Sequence, residues 1–115
     1  MRNTIMTMIL VFFVSPSYGA RATIENATVV TIMTDSILFG GCMAKLSPSP
    51  HQTLPDCKPD WVALDCSGEF MAKDAANRGY SAAQLALVTE KPVSVRINDL
   101  KMHSGYCLAE RIDNQ

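Results

Sequence analysis

The stretch from Tyr80 to Asn98 constrains the fold most, because several local signals agree there. Ser81 to Lys91 reads as a short helix. Ser81 and Gln84 stand in capping-box spacing, so the hydroxyl accepts from the Gln84 amide while the Gln84 side chain reaches back to the amide of Ser81. Tyr80 and Leu85 fit the hydrophobic staple around that box. Pro92 has no backbone N–H and turns Lys91 away from helical angles, and a lysine near the last turn suits the negative end of the helix dipole. Val93 to Asn98 then alternates strictly between apolar and polar residues, the period of a half-buried strand.

The beginning of the chain has a different character. Arg2 precedes an apolar run from Ile5 to Val14, too short to span a bilayer and suited to the hydrophobic region of a secretory signal. Pro16 breaks the run. Small residues offer cleavage after Gly19 or after Ala22, where Ala20-Arg21-Ala22 has the A-x-A pattern and is the preferred site. The expected division is therefore residues 1–22 as signal peptide and 23–115 as one exported domain, periplasmic or secreted. Cleavage after Ala22 removes Arg2 and Arg21 and takes the formal charge from −1 to −3. A mildly acidic chain without a dense basic patch is a poor match for nucleic acid.

A domain this short hides only roughly two-thirds of the surface of its unfolded chain, so its core needs covalent help. Cys42, Cys57, Cys66 and Cys107 supply it, since an even number of cysteines after an export signal reads as two disulfides. Zinc is the other use of four cysteines. There is no C-x-x-C pair, and His51 and His103 are not spaced with the cysteines as ligands are, so no metal or other cofactor is expected.

Thr23 to Thr34 is rich in β-branched residues and reads as the first strand. Asp35-Ser36 forms a turn, and Ile37 to Leu46 reads as a second strand interrupted by Gly40-Gly41. Ser47 to Asp60 is proline-rich, which forbids a helix or a central strand there. Trp61 to Cys66 is the third strand. Phe70 to Asn77 fits a helical turn that ends at Arg78-Gly79 before the main helix. Val93 to Asn98 is the fourth strand, Leu100 to Gly105 a polar turn and Tyr106 to Ile112 the fifth strand.

Strand, strand, strand, helix, strand, strand is the order of an OB-fold, a five-stranded Greek-key barrel. The expected fold class is thus mainly β with one helix, an OB-like barrel held by two disulfides; a small open sheet with a helix packed on it is the alternative. Cys57 is placed to pin the proline-rich loop back to Cys42. In the barrel the third strand lies beside the fifth, which pairs Cys66 with Cys107. On loop entropy these bonds would stabilise by about 3 and about 4 kcal/mol.

Leu85-Ala86-Leu87-Val88-Thr89-Glu90-Lys91-Pro92-Val93, a strand ending Asn98-Asp99, and a last strand within His103 to Asn114 resemble the C-terminal part of cholera-toxin-type B subunits. Those are small secreted OB-folds in which a helix ending in a similar Leu-Thr-Glu passage feeds a strand and then the final strand. The resemblance covers roughly the last third of the chain. It implies the same architecture, a binding role, and by extension a glycan ligand and a ring of identical subunits. The expected helix is far shorter than the family's and the cysteine pattern differs, so none of its sugar-binding residues carries over.

The residues themselves favour binding over catalysis. His51 and His103 each lie in a predicted loop or turn beside serines, but nothing in the spacing assembles a Ser-His-Asp set. Asp56 and Asp60 read as turn formers, and Asp65 and Glu69 as a solvated face. Trp61 opens the third strand beside the proline-rich loop, with His51, Gln52, Lys58 and Asp60 near it in sequence, an aromatic face with polar groups at a loop mouth. The competing role for Trp61 is to cap one end of the barrel core. The functional expectation is a non-enzymatic binding module for a glycan; the alternative is a periplasmic inhibitor or accessory protein that docks on a protein partner through Ser47–Asp60.

Overall fold

The computed structural model describes residues 20–115, so the expected signal region up to Gly19 lies outside the described residues. The chain is mainly β. Five strands, β1 (Arg21–Thr34), β2 (Cys42–Ser47), β3 (Trp61–Ala63), β4 (Val93–His103) and β5 (Tyr106–Asn114), accompany one long helix, α2 (Lys73–Thr89), and a single helical turn, α1 (Pro50–Thr53). The strands pair in the cyclic order β1-β2-β3-β5-β4, which closes on itself. All pairs are antiparallel except β3 with β5, which meet in parallel at Ala63 and Leu108.

Closure depends on β1, which serves two neighbours. Its first half pairs with β4, from Arg21 opposite Asn98 to Ala27 opposite Val93, and its second half pairs with β2, from Thr28 opposite Ser47 to Thr34 opposite Cys42. Register shifts beside Asn26 and between Val29 and Thr31 bend it between the two, and Asn26 takes a left-handed conformation at φ 52°. Inside the ring, Ile24, Ala44, Leu46, Val62, Val95 and Ile97 form the core, and α2 lays Ala83 and Ala86 on it with Tyr80 and Leu87 alongside.

Several boundaries differ from expectation. The helix begins at Lys73 rather than at Ser81, so the Ser81–Gln84 spacing lies inside it and caps nothing. Gly79 is tolerated because its neighbours Ala76, Ala83 and Ala86 keep one small apolar face against the sheet, and that burial outweighs a cost of about 1 kcal/mol for an interior glycine. The helix ends as expected before Pro92, with Glu90 left-handed at φ 58°. The proline-rich loop does hold one turn of helix, because Pro50 stands in its first turn, where the missing N–H costs nothing. The second strand starts only at Cys42, since Phe39 and Gly40 have positive φ within a 3-10 turn over Leu38–Gly41. The strand β4 runs on to His103, so the turn shrinks to Ser104-Gly105.

The cysteines also pair differently: Cys42 with Cys66 and Cys57 with Cys107, at Cα separations of 5.5 and 5.3 Å. The Cys42–Cys57 and Cys66–Cys107 pairing is therefore corrected, and strand direction explains why. An antiparallel β2–β3 pair places the start of β2 beside the end of β3, so Cys42 meets Cys66 just past β3; the Leu64 amide donates to the Cys42 carbonyl at 2.9 Å. A parallel β3–β5 pair places start beside start, so Cys57, ahead of β3, meets Cys107 near the start of β5. Among the described residues no helix is long and apolar enough to cross a membrane.

Candidate functional site: an aromatic groove on the outer face of the sheet

Alternation along β2 and β3 decides which face of the sheet each side chain takes, and Met43, on the face away from the interior cluster, is itself buried. Cys42, Ala44, Leu46 and Val62 belong to the interior cluster, while Met43, Lys45 and Trp61 do not. Register then assembles the outer face: Met33 stands opposite Met43, and Lys45 opposite Trp61. Phe39 from the 3-10 turn and Tyr106 from β5 complete a groove of about 170 Å³ with Met33, Met43 and Trp61. The Phe39 and Tyr106 rings meet edge to face with centroids 5.6 Å apart. The Lys58 ammonium lies 5.2 Å from the Tyr106 ring centroid, a cation–π distance.

Trp61 is thus half-buried in the groove and outside the interior cluster it would have capped. Of the expected ligand-binding residues, Trp61 lines the groove and Lys58 reaches its Tyr106 wall; His51, Gln52 and Asp60 do not line it. His51 is on α1 and donates from Nδ1 to the Cys57 carbonyl at 2.9 Å. Gln52, exposed on the same turn, donates its amide to the Ser49 carbonyl. Asp60 has φ 75°, and its amide donates to Ser49 Oγ at 2.8 Å. Sequence reasoning missed Phe39, Met33, Met43 and Tyr106. The even spacing of Met43 and Lys45 with Trp61 on the neighbouring strand was the available signal, but it needed the register.

Behind one wall of the groove lies a buried charge cluster. Asp65 is 0% exposed, which corrects its placement on a solvated face. The strand ends at Ala63, and Asp65, left-handed at φ 63°, turns inward and accepts hydrogen bonds from the amides of Glu69, Phe70 and Met71. His103, 9% exposed, donates from Nε2 to Asp65 Oδ1 at 2.7 Å, and its Nδ1 is 3.3 Å from Glu69 Oε2. Burial alone would raise the Asp65 carboxyl, but the His103 hydrogen bond and the Phe70 and Met71 amides outweigh it and hold it below the usual carboxylate range. Glu69 remains exposed, as expected.

A larger cleft of about 260 Å³ runs between α2 and β5, floored by Leu64, Ala76, Gly79, Ala109 and Ile112. It has no aromatic wall, and the arginines at its rim are engaged, Arg78 with Asp74 and Arg111 with Asp113. Of the two concavities, the groove at Trp61 is the one walled by aromatic rings. No family model, curated protein or solved structure matches this chain.

Proposed function

We propose that this chain is an exported, non-enzymatic binding module, built on an OB-like barrel of the kind found in toxin B subunits, and that it binds a glycan in the groove at Trp61. The single observation carrying this reading is the outward-facing set of Trp61, Tyr106 and Phe39 with Lys58 over one ring. Aromatic faces stack on the C–H surfaces of sugar rings, and an ammonium at the edge supplies a hydrogen-bond donor. The cyclic strand order, with the helix between β3 and β4, supports the OB-like description. A non-enzymatic role is supported by His103, whose two ring nitrogens both face carboxylates and so are not free for a substrate.

A labelled mature protein screened on a glycan array tests this reading directly. Binding to a restricted set of glycans, lost in Trp61→Ala, is the expected result; no binding, or equal binding by the variant, overturns it. Light scattering of the oxidised protein then decides whether it acts as a ring of identical subunits.

A second reading rests on the loop from Ser47 to Asp60. Cys57–Cys107, the His51–Cys57 and Asp60–Ser49 hydrogen bonds, and the Lys58 amide donating to the Gly105 carbonyl all tie it down. A loop ordered before binding loses little entropy on docking, as an inhibitor or accessory protein requires.

A further inference from the structure

Resting on the binding reading above and narrowing its ligand, we propose that the groove at Trp61 is selective for acidic glycans, sugars that carry a carboxylate or a sulfate, and that Lys58 holds the anion with Lys45 as a second positive charge. The residues lining the groove, Met33, Phe39, Met43, Trp61 and Tyr106, are all uncharged, and Asp60, directly before Trp61, is not among them. Two lysines adjoin it. Lys45, half-buried, is the register partner of Trp61, and the Lys58 ammonium lies 5.2 Å from the Tyr106 ring centroid. Among the described residues neither is ion-paired, whereas Arg21, Arg78, Arg96 and Arg111 each meet a carboxylate.

The other lysines share that lack of an ion pair; what sets Lys58 apart is that its position is fixed. Its amide donates to the Gly105 carbonyl at 3.0 Å, and the preceding Cys57 is bonded to Cys107. Its stem runs along the Ser104-Gly105 turn, where a Cβ added to Gly105, at φ 85°, would come within 2.8 Å of Cε and 3.1 Å of Cδ. A long side chain held in this way has already lost much of the freedom that a surface lysine gives up when it binds. A ring face attracts an ammonium but accepts no hydrogen bond of carboxylate strength, so most of the charge stays unanswered. A sugar hydroxyl placed there only replaces water, whereas an anion gains a charge-assisted hydrogen bond beside apolar walls that keep part of the solvent away. Lys58 covers the Tyr106 ring, which leaves Trp61 to take the face of the sugar. A carboxylate or sulfate projects from the rim of a pyranose, so stacking on Trp61 directs it sideways to the lysines rather than into the floor at the buried Met43.

The oxidised protein is tested on a glycan array presenting neutral, carboxylated and sulfated glycans, and again after the carboxylates are amidated or the sulfates removed. The bound set is expected to be acidic. Neutralising the anion of the best-bound glycan lowers its affinity by about tenfold, and Lys58→Gln, which keeps the amide bond to Gly105, erases most of that difference. Added salt weakens binding by the wild-type protein more than by the variant. A bound set of neutral glycans, or an affinity that survives neutralisation, overturns the selectivity and leaves the binding reading standing. An acid preference that persists in Lys58→Gln overturns the assignment of the anion to Lys58. An empty array removes the binding reading itself, and this inference with it.

Discussion

The Nε2 atom of His103 donates to Oδ1 of Asp65 at 2.7 Å, joining the end of β4 to the segment just past β3 across 38 residues of chain. Three amides converge on the same carboxylate, so one buried charge organises the approach to α2 and the turn that carries Tyr106.

Removing that charge has a defined pH signature. The folded Asp65 carboxyl titrates below its ordinary value, so its contribution is present above the unfolded value, about 3.9, and is lost as pH falls through the folded value. Asp65→Asn is expected to lower stability by about 2–4 kcal/mol at neutral pH and to flatten the loss as pH falls below about 4. Urea unfolding across that range measures both.

Two glycines make a contrasting pair. Gly40 has φ 75° and a Cβ there would strike His103, so Gly40→Ala is expected to cost about 2–4 kcal/mol. Gly79 lies inside α2 with nothing within 4 Å of an added Cβ, so Gly79→Ala is expected to add about 0.5–1 kcal/mol and raise the melting temperature by several degrees. Thermal unfolding of the two variants checks the opposite signs.

The disulfide pairing predicts a peptide map. Proteolysis without reduction should link the peptides of Cys42 with Cys66 and of Cys57 with Cys107. On loop entropy, replacing Cys57 and Cys107 together by alanine costs about 4 kcal/mol, and replacing Cys42 and Cys66 about 3. Linkage of Cys42 to Cys57 would contradict the strand directions.

Much of the strand plan was legible in the sequence because it is local. Val93 to Asn98 alternates, Trp61 opens a strand, and Pro92 separates helix from strand, each within a few residues. What was hidden depends on contacts far apart in the chain. Asp65 reads as solvated because alternation continues past Ala63 on paper, whereas the strand stops there and a left-handed turn sends the carboxylate inward to a histidine 38 residues away. Ser81 and Gln84 matched a capping pattern, but burial of the face through Ala76 extends the helix past it. The cysteines required the directions of two strand pairs, and the groove required the register that sets Trp61 beside Lys45 and Met33 beside Met43.

The most direct test of the groove is a fluorescence titration, because Trp61 is the chain's one tryptophan. The glycan that binds most strongly on the array is added to the oxidised wild-type protein, and its affinity is measured in parallel by calorimetry. The account predicts a saturable change in Trp61 emission with the calorimetric affinity, abolished in Tyr106→Ala. Calorimetric binding with unchanged Trp61 emission would place the ligand elsewhere and contradict the account.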